Sequence, residues 1–368
     1  YDCVKKFRGM FAFAIWDANK KIIFLARDHL GIKPLYYYWD EKKFIFASEI
    51  KAILNHEIKK EANIDSINKL LLYRFVPDAN TMYSKIYKLQ AGHYLILNKE
   101  KMSINKYWDI QDDKIKENID YYKKLREIIE NSVESHMIAD VEVGSFLSGG
   151  IDSSIISAVA QKIMQKNNKT LKTFTVYFDK FSERKDAARV ADHIGSDHYE
   201  VYIDESKNLD YVKKIIEQYD EPMVDFANVP NYAISKFARK KVKVSLAGEG
   251  GDEIFAGYQH YYRMNKTRNN LMNLNILLKR LKFIPKMVNN KKINRIFELH
   301  GKMHDVEDYY LSFCSFFNKN QIDKILKNET DFKLDINMDK FNSFLNKLLY
   351  FDIKTIIPEY FLMKADKM

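Results

Sequence analysis

Six consecutive residues, Ser148-Gly149-Gly150-Ile151-Asp152-Ser153, carry the strongest chemical signal in the chain. They follow an apolar run over residues 141–147 and precede a helix-like pattern over 154–163, which predicts a strand, a glycine turn and a helix N-terminus. Glycine lets a backbone bring its N–H groups close to phosphate oxygens, and a helix start adds unpaired donors and a positive dipole end. The run therefore predicts an anion site, to which the hydroxyls of Ser148 and Ser153 can add donors.

Asp152 is unexpected beside a phosphate, because two negative charges repel each other. A divalent cation between them removes the repulsion, and Mg²⁺ is usually held by one or two carboxylates together with substrate phosphates. The bland alternative is an ordinary strand-to-helix turn that contains two glycines. The presence of Asp152 within the turn favours a site for phosphate and magnesium.

Two commoner nucleotide signatures do not fit this run. Gly144 and Gly149 have the spacing of a P-loop, but Gly150-Ile151 stand where that motif needs lysine and then serine or threonine. No G-x-G-x-x-G run of the dinucleotide-binding type occurs. The pattern S-G-G-x-D-S resembles instead the pyrophosphate loop of N-type ATP pyrophosphatases, which are adenylating enzymes that cut ATP between the α- and β-phosphates.

A second glycine- and acid-rich run, Ala247-Gly248-Glu249-Gly250-Gly251-Asp252-Glu253, follows an apolar segment over 242–246. Taken alone, such a run is also typical of a solvated turn. Beside the first run, it suggests that Asp152 and Asp252 converge on one Mg²⁺ held with pyrophosphate oxygens. Glu249 would then be free to act as a base.

Alternating strand and helix patterns place both runs at one edge of a sheet. Strands are predicted over 141–147, 171–178, 199–203 and 242–246, and helices near 154–165, 182–194, 209–218 and 229–240. Such alternation indicates βαβ units and a parallel sheet, in which ligands bind at the carboxyl ends of strands. Both runs follow a predicted strand directly, so they are expected at that edge.

The first 110 residues or so are predicted to be β-rich. Short aromatic and β-branched runs predict strands over 9–16, 22–27, 35–39, 44–48 and 92–97. Helices are expected over 49–54 and 65–73, with Asp65 as the N-cap of the second. Beyond about residue 259 the sequence has a helical pattern rich in lysine and asparagine, with no chemistry that the pattern identifies.

Composition narrows the class of protein. The chain has 368 residues, 46% of them hydrophobic, which is enough for two domains with real cores. Its net charge of +10 comes from lysines spread along the whole length, so a nucleic-acid partner is not expected. No apolar run reaches membrane-spanning length, and two cysteines form no disulfide framework, so we expect a cytoplasmic protein that binds no membrane.

At this point the chain resembles the class B, glutamine-hydrolysing asparagine synthetases. Residues 148–153 resemble the pyrophosphate loop of that family, and residues 246–258 (LAGEGGDEIFAGY) resemble its second signature. Residues 8–17, 26–36 and 47–53 resemble the second half of its N-terminal glutaminase domain, and residues 358–368 resemble the segment before its C-terminal acceptor region. The resemblance covers nearly the whole chain and is weaker over 259–350.

The resemblance implies an α/β protein with two domains. Residues 1–115 would be the remaining C-terminal half of an α+β Ntn-type glutamine amidotransferase domain. Residues 116–368 would be an asparagine synthetase domain, a Rossmann-like ATP pyrophosphatase of the adenine nucleotide alpha hydrolase type with a helical C-terminal part. Because the chain begins at Tyr1 and ends at Met368 after an apolar stretch, we expect it to be truncated at both ends.

The resemblance also assigns roles to individual residues. ATP would be bound by Leu147, Val176, Ala247 and Gly248. Pyrophosphate would be bound by Ser148, Gly149, Gly150, Asp152 and Ser153. Asp152 and Asp252 would be the Mg²⁺ ligands, and Glu249 would be the catalytic acid/base residue.

The chain departs from the family pattern in three places. Ala247 stands where family members often carry serine, and Phe226-Ala227 follow Asp225 where serine is common, so the acceptor acid is less defined than the adenylation. The N-terminal cysteine nucleophile of the glutaminase is missing. Cys3 does not replace it, because Val-Lys-Lys follows Cys3 in place of a glycine-containing start.

The expected activity is the ATP-dependent amidation of aspartate to asparagine through β-aspartyl-AMP, with release of AMP and pyrophosphate. Aspartate, ATP, Mg²⁺ and ammonia would take part, with glutamine supplying the ammonia in a full-length protein; a homodimer is left open. One alternative is a related amide-forming adenylating synthetase that uses a different acid. Others are a nucleotide-binding fragment without activity and a tRNA-modifying ATP pyrophosphatase, although residues 1–110 do not fit the last.

Overall fold

The computed structural model describes residues 2–99, 101–112, 119–178, 183–204, 206, 208–281, 290–326 and 333–368. The chain forms two compact units, neither of them continuous in sequence. Unit 1 contains Tyr1–Asp112, Asp220–Val224 and Asp252–Asp366; unit 2 contains Asp113–Tyr219, Asp225–Gly251 and Lys367–Met368. The boundary predicted near residue 115 remains a proposal.

The N-terminal part of unit 1 contains two antiparallel sheets. Its elements, after a 3-10 helix at Asp2–Lys6, are β1 (Ala12–Asp17), β2 (Ile22–Arg27), β3 (Tyr36–Trp39), β4 (Phe44–Ala47), α1 (Ile50–Leu54), α2 (Ile64–Tyr73), β5 (Ile86–Lys88), β6 (His93–Leu97) and β7 (Met102–Lys106). The strand orders are β1-β2-β6-β7 and β4-β3-β5. Leu25, Leu95 and Leu89 are fully buried in the core of this part.

The predicted β-rich region is therefore present, with corrections in detail. The first strand begins at Ala12 rather than residue 9, and β5 and β7 were not predicted. The prediction that Asp65 caps the second helix is wrong. Asn63 is the N-cap, because its backbone is extended and its side chain accepts a hydrogen bond from Ser66 N, whereas Asp65 lies inside the first turn.

Unit 2 is built on a parallel sheet flanked by helices. Its elements are α3 (Tyr121–His136), β8 (Val143–Phe146), α4 (Ile151–Lys166), β9 (Lys172–Tyr177), α5 (Arg184–Ile194), β10 (Asp197–Tyr202), α6 (Asn208–Tyr219), α7 (Asn228–Ala238) and β11 (Val244–Leu246). The strand order is β10-β9-β8-β11, and every pairing is parallel. The parallel α/β prediction is confirmed; residue 182, where the helix predicted over 182–194 begins, lies outside the described residues.

Close packing in this sheet depends on small residues of β8. A Cβ on Gly144 would lie 2.8 Å from Cε2 of Phe174, a fully buried residue of β9. On the helix side, the hydroxyls of Ser145 and Ser157 are 2.9 Å apart and buried, which joins β8 to α4. These contacts fix the strand and the helix on either side of residues 147–150.

The remainder of unit 1 is helical, as predicted. It contains α8 (Gly251–Phe255, whose first residue belongs to unit 2), α9 (Gln259–Asn273), α10 (Asn275–Arg280), α11 (Lys291–Lys302), α12 (Val306–Cys314), α13 (Lys319–Leu326), α14 (Phe344–Lys354), a π-helical turn (Ile357–Phe361) and α15 (Leu362–Lys367). Tyr261, Met264, Tyr309, Leu348 and Phe351 form its buried centre. Among the described residues, every helix is too short or too polar to cross a membrane.

Candidate active site

The loop between β8 and α4 is held by its own serines. The hydroxyls of Ser148 and Ser153 are 2.9 Å apart, and Ser153 Oγ accepts a hydrogen bond from Ser148 N and donates one to Gly150 O. Gly150 N in turn donates to Ser148 Oγ over 3.2 Å. Gly150 is the N-cap of α4, so the helix begins at Ile151, three residues before the predicted start. The loop thus forms the strand, glycine turn and helix N-terminus that the sequence predicts.

Gly149 occupies a position that no other residue could take without strain. Its φ is +85°, and a Cβ there would lie 2.7 Å from the backbone nitrogen of Ala187. Ala187 is in the second turn of α5, and it packs with Leu147 and Ala191 in one apolar cluster. Helix α5 therefore forms a wall behind the loop, a role that no sequence motif indicated.

Helix α5 is fixed to the sheet by its first residue. Arg184 Nε donates to Glu200 Oε2 over 2.6 Å, and the guanidinium lies 4.5 Å from the centre of the Tyr177 ring. The hydrogen bond and charge of Arg184 lower the pKa of Glu200. Because Glu200 lies on β10 and Tyr177 ends β9, these contacts hold the start of α5 at the carboxyl ends of both strands.

The second glycine-rich run packs directly against the first within unit 2. A Cβ on Gly248 would lie 3.2 Å from Ser153 N and 3.3 Å from Asp152 Cβ. A Cβ on Gly251 would lie 2.6 Å from Asp152 Cγ and 2.9 Å from each carboxylate oxygen. Only residues without a side chain allow this approach, so the structure brings the two predicted runs together at Asp152.

The remaining predicted residues of unit 2 lie at the same edge of the sheet. Leu147 is buried, and its N–H donates to Phe174 O over 2.8 Å. Val176, near the carboxyl end of β9, and Ala247, directly after β11, are half-buried. Glu249 is exposed. The edge thus offers a buried apolar side, a polar loop and a solvent-facing carboxylate.

Asp252 is in the first turn of α8 and belongs to unit 1. A Cβ on Gly257 would lie within 3 Å of Asp252 Cγ, so the carboxylate rests where only glycine leaves room. Asp152 and Asp252 fall in different units, and their convergence on one cation stays a proposal. In the chain, however, Asp252 is the residue after Gly251, which packs against the Asp152 carboxylate.

The donor set at this edge of the sheet fits Mg²⁺. No group of three or more histidine, cysteine, aspartate or glutamate side chains suited to a metal occurs among the described residues. Mg²⁺ does not need such a cage, because it keeps several waters and takes one or two carboxylates plus substrate phosphates. The Asp152 carboxylate, half-buried beside a helix N-terminus and a glycine loop, fits that requirement.

The segment that departs from the family pattern is also resolved. Asp225 Oδ1 accepts a hydrogen bond from Ala227 N over 2.8 Å, in the turn that starts α7. Phe226 is 88% exposed. Cys3 is exposed and lies within the 3-10 helix Asp2–Lys6.

Two family models match the chain. The model described as asparagine synthase matches residues 124–368, and the model described as glutamine amidotransferase domain matches residues 1–108.

Curated proteins match over long stretches. Glutamine-hydrolyzing asparagine synthetase 1 of Bacillus subtilis is 32% identical over 384 aligned residues, which cover 100% of this chain and 59% of that protein. A Methanocaldococcus jannaschii protein, provisionally named glutamine-hydrolyzing asparagine synthetase 2, is 39% identical over 278 residues, or 73% of this chain and 54% of that protein. Glutamine-hydrolyzing asparagine synthetase B of Escherichia coli is 34% identical over 272 residues, or 70% of this chain and 44% of that protein. The chain spans about half the length of these relatives.

Proposed function

The chain belongs to the asparagine synthase family, and from that premise we propose that it performs the ATP-dependent amidation of aspartate to asparagine. The observation that supports this most directly is the packing of Gly248 and Gly251 against Ser153 and Asp152. It joins a pyrophosphate-binding loop to an acidic loop at the carboxyl edge of a parallel sheet, where ligands of such sheets bind. The matched ranges also support a domain boundary between 1–115 and 116–368.

In the first step, the β-carboxylate of aspartate attacks the α-phosphorus of ATP, forming β-aspartyl-AMP and releasing pyrophosphate. In the structure the hydroxyls of Ser148 and Ser153 are hydrogen-bonded to each other. We propose that these hydroxyls and the backbone N–H groups of residues 149–153 donate to pyrophosphate oxygens when ATP binds. Leu147, Val176, Ala247 and Gly248 would hold the nucleoside and α-phosphate side of ATP. Donors set in place where charge develops stabilise the transition state without reorganisation.

Asp152 and Asp252 are the residues that would hold Mg²⁺. When bound there, the cation would neutralise charge on the leaving pyrophosphate. The absence of a side chain on Gly251 leaves the Asp152 carboxylate the space that it occupies.

In the second step, ammonia attacks the acyl carbon of β-aspartyl-AMP, asparagine forms and AMP leaves. Nitrogen must lose a proton, and we propose that Glu249 accepts it; such general-base catalysis contributes about 10²–10⁴-fold. Glutamine is the proposed source of ammonia, since residues 1–108 match an amidotransferase model. The proposed location is the cytoplasm, where aspartate and ATP are available.

The test is pyrophosphate release by the purified chain with ATP, Mg²⁺ and ammonium. We expect release to depend on aspartate, with one asparagine and one AMP formed for each pyrophosphate. A panel of other acids, including glutamate and β-amino acids, tests whether Phe226, at a position where serine is common in the family, changes the acid that is accepted. Release with another acid and none with aspartate would contradict the proposed acceptor, and ATP binding without release under any acid would contradict the proposed activity.

A further inference from the structure

Helix α8 carries Asp252 and, at the next position, Glu253, whose carboxylate is buried. Glu253 is 1% exposed, and the hydroxyl of Tyr258 donates to its Oε1 over 2.9 Å. Burying a carboxylate is costly unless it is hydrogen-bonded or paired. Because α8 has only five residues, a displacement of Glu253 must also displace Asp252.

A second buried carboxylate lies in the same apolar core. Asp352, on α14, is 1% exposed. The hydroxyl of Tyr261, a fully buried residue of α9, donates to its Oδ2. The ring of Tyr310, on α12, packs 4.9 Å from that of Phe351, the neighbour of Asp352 on α14. These contacts join α9, α12 and α14 around one carboxyl group.

The two carboxylates are joined through their tyrosines, because the rings of Tyr258 and Tyr261 lie 5.8 Å apart. Burial raises the pKa of Asp352 to about 7, and the charge of Glu253 adds to this rise. The hydroxyls of Tyr261 and Tyr310 and the charge of Arg74, at the end of α2, oppose it. Cys314 of α12 faces the group as well, and its pKa is raised to about 12 by burial and then by Asp352. The core therefore holds Asp352 largely protonated below neutral pH.

We propose that the hydrogen-bonded side chains of Glu253, Tyr258, Tyr261 and Asp352 form a buried acid brace that sets the position of helix α8. Asp352 is then a positioning residue for Asp252, which it does not need to touch. The brace itself stands on the contacts above, whereas the role of Asp252 as a Mg²⁺ ligand rests on the proposed function.

Amide hydrogen exchange of the ligand-free chain tests the brace without any assumption about activity. Asp352→Leu and Tyr261→Phe should raise exchange at residues 252–255 by about tenfold or more, because local opening follows the loss of buried contacts. Exchange in the unit 2 strands should not change. Tyr262→Phe is the matched control, since Tyr262 is the adjacent residue of α9 and is 67% exposed. Unchanged exchange at 252–255 in both brace variants, with the fold intact, overturns the brace.

Asp352→Asn keeps the size of the side chain and an acceptor for Tyr261, so it should rescue the protection of α8. It should also change the pH dependence of unfolding. The raised pKa of Asp352 contributes stability below the unfolded value of about 4, and this contribution is lost as pH rises through about 7. The midpoint of thermal unfolding of Asp352→Asn, relative to the native chain, should therefore rise by ~5 °C between pH 5 and pH 8.

Asp339→Asn, whose carboxylate is 97% exposed, is the control for this measurement. Parallel pH profiles for the native chain and Asp352→Asn would show that the buried Asp352 carboxyl does not bind a proton between pH 5 and pH 8.

The positioning role is measured by Mg²⁺-dependent ATP binding. Tyr261→Phe should raise the Mg²⁺ concentration needed at half-saturation several-fold, and Asp352→Asn should not. If α8 opens in Tyr261→Phe but the Mg²⁺ requirement is unchanged, the positioning role is wrong. If the native chain binds no ATP, the proposed function fails, and the exchange at Asp252 alone decides whether the brace holds that residue.

Discussion

The Ser148–Ser153 loop and the buried acid brace use carboxylates in opposite ways. Asp152 is half-buried among glycines and serines, beside a helix N-terminus and within reach of solvent. Asp352 is buried in an aromatic core, where the hydroxyl of Tyr261 donates to its carboxylate. A carboxylate that meets a ligand needs small neighbours that leave space, whereas one that positions a helix needs bulky neighbours that exclude water. The contrast predicts that the two kinds of site will respond differently to substitution.

The largest expected effect is at Asp152, on the ligand side of this contrast. Asp152→Asn removes the negative charge that would hold Mg²⁺ but keeps the size of the side chain, so aspartate-dependent pyrophosphate release should fall by ~10³-fold or more. The fold should survive, because the packing against Gly248 and Gly251 is unchanged in size. Release is measured with saturating ATP over a range of Mg²⁺ concentrations.

Asp140→Asn, an exposed residue before β8, serves as the control for charge alone. Near-normal release by a folded Asp152→Asn variant would remove the metal role and, with it, the reason for a carboxylate within this loop.

Glu249 tests whether the exposed carboxylate does chemistry or binds substrate. Glu249→Gln should lower asparagine formation by about 10²-fold or more, since general-base catalysis contributes that much, while the dissociation constant of ATP changes less than a few-fold. Synthesis and ATP binding are measured on the same preparation. A collapse of ATP affinity with continued turnover of bound ATP would show that Glu249 is a binding residue.

The two kinds of site also differ in what their sequences reveal. The Ser148 and Gly248 runs could be predicted because the residues that meet a ligand are adjacent in the chain and their types are unusual together. The parallel sheet could be predicted because strand and helix periodicities alternate. The brace could not, because Glu253, Tyr261 and Asp352 come from three helices and each residue type is common.

Helix α5 was predicted, but its contact with Gly149 was not, since nothing in residues 184–194 marks the backbone of Ala187 as the wall behind a glycine. Strands β5 and β7 were missed because they are short and, in β7, interrupted by polar residues. The contact of α5 with Gly149 and the formation of β5 and β7 depend on tertiary packing, which the pattern of a single sequence does not show.

Asp109 is a third carboxylate to compare with Asp352. It is also shielded from solvent, but lysine ammonium groups surround it in addition to a tyrosine hydroxyl. Lys106, Lys340 and Lys354 lie 3.1, 3.1 and 3.5 Å from it, and Tyr350 also donates to it. Burial favours a raised pKa, but these groups outweigh it and hold the pKa of Asp109 well below its usual range. Its titration should therefore affect stability in the opposite direction to that of Asp352.

The sign follows from the lowered pKa: the stability that Asp109 contributes is present above the unfolded value of about 4 and is lost as pH falls further. Asp109→Asn should lower the free energy of unfolding by about 2 kcal/mol at pH 7, because it leaves three lysines without their partner. The difference in free energy of unfolding between Asp109→Asn and the native chain should become smaller below about pH 4. Urea unfolding across pH measures it, with the exposed Asp112→Asn as control. A gap that stays constant down to pH 3 would show that the ion pairs are not its source.

The smallest expected effect separates space for a ligand from helix propensity. Gly251→Ala places a Cβ 2.6 Å from Asp152 Cγ, and the flexible carboxylate must turn away, so pyrophosphate release should fall by ~10-fold as the misplaced group loses alignment. Gly301→Ala, one residue before the end of α11 and with nothing within 4 Å of the new Cβ, is the matched substitution. It should leave release unchanged and raise the free energy of unfolding by up to about 0.5 kcal/mol, since alanine is a better helix former than glycine. Equal pyrophosphate release by the two variants would show that Asp152 works equally well in another orientation. The Ser148–Ser153 loop would then not require small neighbours around its carboxylate.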